Sequence, residues 1–554
     1  MTTTAPEGPA APRTPSSARI TESARELLAG LRMRPWGQVS PSVYETARLV
    51  SLTPWLTGHD RRVSFLLERQ RPEGLWTAPD RGYALVPTLS AIEALLCLLS
   101  GTATATEPVT ADRPRLAEAA SRGLRAMSPI LDGRPWKHPL PDMPAIELIT
   151  PYLIELINDH LAALRERPVD GLGAWAGHRL TAPEGLDGTK LTAVRRLLAM
   201  GGTVPTKLVH ALEVAGDTAV ELPNLRTEPT GTIGASPAAT AAWLGDREPL
   251  ASSSPARWHL ETVAADHGGP VPCGYPLTVF ERSWVLAWLV RAGISFVVHP
   301  ELVLSLTAPL GPTGTPAAAG LPADADTTSG ALYALALLGA PHRPDPLWAY
   351  ELDTHFCTWE GEDGASLTTN AHVLEAFGQY LRSVPSRQLD EESGRAYGAA
   401  VRKVSTWLCE QQAPDGNWTD RWHASPYYAT ACCAIPLHTF GGERAEDAVA
   451  AARRWILDTQ RPDGSWGRWG GTAEETAYAV QVLLLTGPSR DGAIGRAAAA
   501  ARPHLQRHLA LRDGEEDDAP ALWHDKDLYK PTAIVRAAVL AALHLTQVKA
   551  VVPS

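Results

Sequence analysis

Residues 70–76 read QRPEGLW, and the same pattern returns as QAPDGNW at residues 412–418 and as QRPDGSW at residues 460–466. Each copy of this Q-x-P-[DE]-G-x-W form directly follows an apolar stretch of helical character. The acidic residue and the Gly predict a turn after a helix, because Gly takes a positive φ at no steric cost. The Gln and the Trp can tie that turn to the next helix by a hydrogen bond and by stacking. The repeat therefore predicts a chain of repeated helical hairpins.

The sequence between the repeats is also helical in pattern. Apolar residues recur at spacings of three and four in residues 88–99, 147–164, 473–485 and 531–542. Alternating β patterns are hard to find, and Pro/Gly-rich segments such as residues 311–323 separate the helices. We predict an all-α protein.

Composition excludes several classes of protein. The 554 residues are 44% hydrophobic and 20% charged, which excludes global disorder. A net charge of −11 without a long basic run argues against nucleic acid as a partner. Nothing approaches the apolar length of a membrane span, and residues 1–17 lack a secretory signal and predict a disordered tail. The six cysteines form no CxxC pair, which favours a cytoplasmic protein without a disulfide framework or structural zinc.

The repeat resembles the QW motif of class II terpene cyclases, the superfamily of squalene-hopene and copalyl diphosphate cyclases. Further blocks extend this resemblance over nearly the whole chain, in the family's order. They are SPSVYETA at 40–47 (with Glu45 for Asp, followed by Arg48 for Trp), IELITPYLIE at 146–155, VPTKLVHALE at 204–213, ASPAATA at 235–241, YPLTVFERSW at 275–284, RWHASPYY at 421–428, EETAYA at 474–479 and LWHDKDLY at 522–529.

The resemblance implies two (α/α) barrels, called γ and β, with the active site between them. Residues 40–284 would form the γ domain and residues 285–554 the β domain. Residues 18–39 would add an N-terminal helix to the β domain.

The chemistry would centre on Asp324-Ala-Asp326-Thr327-Thr, between the Pro/Gly-rich segment and a helix. A lone DxD is more often a helix cap or a solvated loop. Here it resembles the family's DxDD motif, which implies that Asp326 is the general acid and Asp324 its partner, with Thr327 in place of the last Asp. A dry, apolar site would keep a carboxyl protonated at neutral pH. Hydrogen bonds from Asp324 and Thr327 would stabilise the anion that remains after proton transfer.

The chain contains 18 Trp but only 6 Phe. Electron-rich ring faces stabilise a carbocation without acting as nucleophiles, although each ring could equally serve core packing. The candidate rings are Trp284, Trp359, Trp422, Tyr427, Tyr428, Tyr478 and Trp523.

The sequence contains neither DDxxD nor NxxxSxxxE, the motifs with which class I synthases ionise a diphosphate. The product should therefore keep its diphosphate, for a downstream phosphatase or class I synthase. Candidate diphosphate-binding residues in family-like blocks are Lys207, Arg282, Lys526 and Lys530.

Two further roles are implied by the resemblance alone. Glu147 matches a position linked to Mg²⁺ in the γ domain. His210 matches a histidine that, in plant ent-copalyl diphosphate synthases, pairs with Asn to direct the final deprotonation, but Cys273 stands at the Asn position.

The function implied is protonation-initiated cyclisation of an all-trans prenyl diphosphate to a bicyclic decalin diphosphate. The substrate is geranylgeranyl diphosphate, giving a copalyl-type product, or farnesyl diphosphate, giving a drimenyl-type product. The alternatives are a squalene-hopene-like triterpene cyclase, an (α/α)-barrel glycosidase with paired carboxylates, and a non-catalytic helical-repeat scaffold.

Overall fold

The computed structural model describes residues 17–101, 107–131, 140–220, 222–245, 254–488, 491–510 and 519–549. About 59% of the chain is helical. Strands within the described ranges are limited to one antiparallel pair, Trp523–His524 (β1) and Leu528–Tyr529 (β2). The predicted all-α class is confirmed. No helix in the described part of the chain combines the length and apolar character that a bilayer crossing requires. The predicted tail at residues 1–17 lies almost wholly outside the described residues.

The first half of the chain forms ten of the described helices. They are α1 (Ser17–Met33), α2 (Val43–Leu52), α3 (His59–Glu68), α4 (Leu85–Ser100), α5 (Arg113–Leu131), α6 (Ile146–Ala163), α7 (Thr189–Ala199), α8 (Thr206–Val209), α9 (Pro237–Leu244) and α10 (Pro255–Asp266).

The second half forms the other ten. They are α11 (Thr278–Arg291), α12 (Pro300–Thr307), α13 (Ala325–Leu337), α14 (Leu367–Ser383), α15 (Glu391–Glu410), α16 (Pro426–Phe440), α17 (Glu446–Asp458), α18 (Ala473–Thr486), α19 (Gly492–Ala510) and α20 (Thr532–Val548). The four helices predicted from apolar spacing are present as α4, α6, α18 and α20.

Buried apolar side chains form two large clusters and one small one. The first large cluster consists mainly of residues from α2 to α9. The second consists of residues from α1 and from the ten helices α11 to α20. The small cluster surrounds α10. A domain boundary after residue 284 would fall inside α11, whose buried residues on both sides of it belong to the second cluster. α11 therefore packs as a whole with the second cluster, and the predicted domain bounds stay a prediction.

The hairpin of β1 and β2 links the two large clusters. Leu522 and Leu528 pack in the first cluster, although they follow most of the second cluster in sequence. The Asp527 carboxylate accepts hydrogen bonds from the backbone N–H groups of Val43 (3.1 Å) and Tyr44 (3.2 Å) at the start of α2. This contact satisfies helix donors that have no partner within the helix, and it fixes the seam between the two halves.

The repeats make the predicted turns but connect different helices from those expected. Gln70 Nε2 donates to Gly74 O within the turn (3.1 Å) and to Ala119 O on α5, the second helix onward (2.9 Å). Trp76 Nε1 donates backwards, to Leu66 O near the end of α3 (2.7 Å). The other copies make equivalent bonds, from Gln412 to Gly416 and Ala448, from Trp418 to Leu408, from Gln460 to Gly464 and Ala497, and from Trp466 to Ile456. Through these two side chains, each repeat thus links the helix before it to the second helix after it.

Candidate active site

The two candidate acids lie at the start of α13. Asp324 is the N-cap residue, and its Oδ1 accepts the backbone N–H of Thr327 at 2.5 Å. The backbone N–H of Ala325 donates to Thr358 O at 2.8 Å, which holds the acid turn against the loop before α14. The sequence motif is therefore both a helix cap and a buried acid pair.

The electrostatic environment of Asp324 and Asp326 favours one proton being kept by this carboxyl pair at neutral pH. Burial, together with the nearby charge of Asp326, raises the pKa of Asp324 to about 8. The Asp326 side chain is 18% exposed, so it is the more accessible of the two carboxyls. A pair with one retained proton at neutral pH is what an acid catalyst for an alkene requires.

His372 on α14 completes the acid site, and the sequence interpretation missed it. Its Nδ1 lies 2.8 Å from Asp326 Oδ1, and its side chain is 8% exposed. Burial opposes protonation of this ring, but the charge and hydrogen bond of Asp326 outweigh burial and raise its pKa well above the usual value. The sequence feature that could have indicated it is a His, close to Asn370, among the apolar residues that form the buried face of α14.

Four of the seven predicted rings meet next to this acid site. The Trp284 ring lies 4.8 Å from the His372 ring, and Trp284 Nε1 donates to the Tyr428 hydroxyl at 2.9 Å. Tyr428 in turn lies 4.6 Å from Trp523 and 5.2 Å from Tyr478. We call Trp284, Tyr428, Tyr478 and Trp523 the ring cluster.

Gly330 on α13 makes room for one member of the ring cluster. A Cβ atom at this position would lie 2.4 Å from Cζ3 of Trp284. The absence of a side chain there lets the indole pack directly against the helix that carries Asp326.

Another pair of predicted rings lies apart from the ring cluster, near basic residues. Trp359 and Trp422 contact each other at 5.2 Å. Lys207 lies 5.6 Å over the Trp359 ring and donates to Glu360 O at 2.6 Å. This arrangement brings a cation of the first half against a loop of the second half, and it suits an anionic group at the seam.

Tyr427 belongs to neither group of rings. Its ring lies 4.7 Å from Trp455 on α17, so it serves packing between helices. Adjacent residues of a helix point in different directions, which separates Tyr427 from Tyr428.

Comparisons with known proteins agree with this geometry. Residues 363–496 match the family model of the squalene-hopene cyclase C-terminal domain. The chain is 41% identical to ent-copalyl diphosphate synthase of Streptomyces sp. (strain KO-3988) over 537 residues. This match covers 96% of this chain and 97% of the relative. The chain belongs to the class II terpene cyclases. Labda-7,13-dienyl diphosphate synthase of Streptomyces clavuligerus is 40% identical over 532 residues, or 96% of the cyclase and 93% of that relative.

Solved structures confirm the helical-barrel fold of this cyclase. ent-Copalyl diphosphate synthase from Streptomyces platensis matches with a TM-score of 0.87 and 44% identity, over 95% of the cyclase and 99% of that chain. The Arabidopsis thaliana ent-copalyl diphosphate synthase has a TM-score of 0.59 at 18% identity, over 95% and 63% of the two chains, and it shares the fold. The glycosidase and scaffold interpretations are thereby replaced.

Lys526 of the cyclase has a structural role, contrary to the predicted diphosphate contact. Its ammonium is fully buried between the carboxylates of Glu45 and Glu213. Nζ also donates to His210 O and to Ser236 Oγ, both at 2.8 Å. Burial raises the pKa of Glu45 to about 7 even though Lys526 opposes that rise. A buried ammonium that is already paired with two carboxylates cannot turn towards a ligand.

The other two predicted cations differ in position. The Arg282 guanidinium donates to Pro35 O at 3.4 Å, in the segment that follows α1. Lys530 is half-buried beside Ser40, whose hydroxyl accepts its backbone N–H at 3.0 Å.

His210 is held on both sides of its ring. Nδ1 lies 2.6 Å from Gly234 O, and Nε2 lies 2.8 Å from Asp525 Oδ1. Both partners are acceptors. Burial disfavours the charged ring, but Asp525 outweighs burial and raises the pKa of His210. The side chain that bonds the His210 ring is thus Asp525, while Cys273 is fully buried.

Two cavities in the described residues lie away from the acid site. Their volumes are about 220 and 510 Å³, and both are bordered by α5 and by residues just after α6. None of the predicted site residues lines them, so we do not assign the reaction to either.

Proposed function

We propose that this cyclase converts geranylgeranyl diphosphate into a bicyclic, copalyl-type diphosphate. Asp326 donates a proton to the terminal alkene, the chain closes two rings, and a base removes a proton from the resulting cation. The observation that carries the proposal is the buried acid pair, with Asp326 held by His372 beside the ring cluster. Relatives named copalyl and labdadienyl diphosphate synthases, at 40–41% identity over nearly the whole chain, support the C20 substrate.

The ring cluster supports the cation part of the proposal. Indole and phenol faces attract positive charge, and the effect grows in a site from which water is excluded. Because the Trp284 ring packs on His372, the partner of Asp326, and bonds to Tyr428, a cation formed at the acid would meet these rings first.

We propose that Mg²⁺ enters with the diphosphate and is held in part by Glu147. The Glu147 side chain is 34% exposed and makes only a loose ion pair with Lys190, 3.6 Å from Nζ. A single accessible carboxylate fits a cation that takes its other ligands from phosphate oxygens and water. Bound Mg²⁺ would neutralise diphosphate charge, and Lys207 would add a cation at the seam.

The product keeps its diphosphate in this proposal, so a phosphatase or a class I synthase must act next. We also propose a reducing, cytoplasmic setting. All six cysteines are free thiols in the structure, which supports it.

The decisive experiment is incubation of the purified enzyme with Mg²⁺ and either geranylgeranyl or farnesyl diphosphate. Phosphatase treatment then releases alcohols for identification. We expect a bicyclic C20 alcohol, and none from Asp326→Asn, which keeps the shape but not the proton. A bicyclic C15 alcohol alone would reassign the substrate, and the absence of cyclised product from both would refute the function.

A further inference from the structure

Three polar groups of aromatic side chains converge on one oxygen of Glu474. Glu474 Oε1 lies 2.7 Å from Trp523 Nε1, 3.1 Å from the Tyr478 hydroxyl and 3.3 Å from His423 Nε2. Glu474 itself is 3% exposed. Trp523 and Tyr478 are members of the ring cluster, so this carboxylate stands directly behind the rings.

His423 is oriented by hydrogen bonds at both ring nitrogens. The backbone N–H of Ser425 donates to His423 Nδ1 at 3.0 Å, so the ring proton lies on Nε2 and points to Glu474. The His423 ring stacks on Tyr428 at 4.4 Å, with 21° between the planes. Glu474 therefore orients His423 as well, and through it the face of Tyr428.

Glu474 stays ionised in this buried place. Burial alone would raise its pKa, but the hydrogen bonds from His423 and Trp523 and the positive charge nearby outweigh burial and lower it. The neighbouring Glu475 behaves oppositely, because burial raises its pKa to about 7. Of the two neighbouring carboxyls, Glu474 is therefore the more fully ionised at neutral pH.

We propose that Glu474 is a positioning residue that makes the ring cluster electron-rich and so determines how far the cation travels before it loses a proton. A donor group that gives its hydrogen to a carboxylate is polarised, which increases the negative charge on the attached ring. Negative ring faces hold a cation more strongly. Glu474 acts through the rings and exchanges no proton with the substrate.

The test is Glu474→Gln, which keeps the shape and a hydrogen-bond acceptor but removes the charge. We expect kcat to fall about tenfold, the size of one desolvated cation–π contact, while KM and the thermal midpoint stay close to wild type. We also expect a larger share of monocyclic or hydroxylated products, from cations that stop early. A purely structural role would move the thermal midpoint but not this product ratio.

Glu475→Gln is the matched control. Glu475 accepts from Ser425 Oγ (2.6 Å) and from the Arg468 backbone N–H (2.8 Å), and its described bonds avoid the rings. It should alter stability and leave the product ratio unchanged. A wild-type ratio and kcat in Glu474→Gln, or the same product shift in Glu475→Gln, would overturn the inference.

Trp523→Phe provides a second route if Glu474→Gln does not fold. It keeps a ring but removes the N–H that bonds Glu474. We expect a product shift in the same direction, and an unchanged ratio would overturn the inference. The inference rests on the proposed function, which fails separately if wild type forms no cyclised product.

Discussion

His372 Nδ1 lies 2.8 Å from Asp326 Oδ1, and this contact joins α14 to the acid-bearing end of α13. The raised pKa of His372 keeps its ring protonated at neutral pH. The imidazolium therefore donates to Oδ1. In the proposed reaction it would stabilise the Asp326 carboxylate that remains after protonation of the alkene.

His372→Asn should lower kcat by about 10- to 100-fold, because a hydrogen bond to a charged group contributes about 1.5–3 kcal/mol. KM should change little, since His372 acts through Asp326. Steady-state kinetics of the purified variant would measure both. His438→Gln, at an exposed position on α16, is the control and should match wild type. Wild-type kcat in His372→Asn would contradict the assigned role.

Activity should fall as the pH rises past about 8. Asp324 has a folded-state pKa of about 8, against an ordinary value of 3.8, so the pair keeps its proton through neutral pH and loses it above that range. The same shift means that this group's contribution to stability declines between about pH 4 and 8, where only the unfolded chain has released the proton. A kcat–pH profile from pH 6 to 10 would test the activity limb. A flat profile across pH 8–9.5 would show that this proton is not required.

Lys526→Met should destabilise the fold by about 3–5 kcal/mol, because it leaves the buried carboxylates of Glu45 and Glu213 without a cation. Thermal and urea unfolding would measure the loss. The loss should shrink on acidification towards pH 7, because without Lys526 burial holds the pKa of Glu45 above the value of about 7 that it has beside the ammonium.

A second substitution separates charge from packing. Lys526→Met combined with Glu213→Gln should regain much of the lost stability, because it removes one uncompensated charge. A stable double variant with a greatly raised KM for the diphosphate would instead restore the predicted substrate role of Lys526.

Gly464→Ala should lower the thermal midpoint by several degrees. Gly464 has φ +84°, and a Cβ there would lie 2.4 Å from Ala500 O on α19. Left-handed strain of about 1–2 kcal/mol and a backbone clash therefore add together. Gly293→Ala is the control, since φ is +82° but nothing lies within 4 Å. Equal effects of the two substitutions would show that the close approach in the repeat is unimportant.

The repeats, the helices and the acid pair could be predicted because each depends on neighbours in sequence. The turn at residues 460–466 needs its Gly wherever it occurs, and Asp324 caps α13 from within its own motif. The link from Gln460 to Ala497 could not be predicted in detail, because it depends on which helix packs beside the turn. The buried position of Arg48 could not be predicted either. Where the family has Trp, this chain buries a guanidinium paired with Glu93.

The sequence blocks that resemble the family located the site, but they did not distinguish the roles of its individual residues. Lys526 and Glu474 both lie in sequence blocks that resemble the family. Lys526 is nevertheless enclosed by carboxylates, whereas Glu474 accepts hydrogen bonds from three aromatic side chains. Tyr427 and Tyr428 are adjacent, but only Tyr428 meets Trp284.

The sequence by itself determined the helical-hairpin architecture and the family, because local turn chemistry and short motifs encode them. It also located the motif of Asp324 and Asp326, whose acid role stays a prediction. Only the tertiary structure decided that His372 supports Asp326, that Lys526 is sealed between two carboxylates and that Glu474 lies behind the rings. The physical reason is that charge pairing, burial and ring contact depend mainly on distances between residues far apart in the chain, such as the 46 positions between Asp326 and His372, and no local pattern specifies those distances.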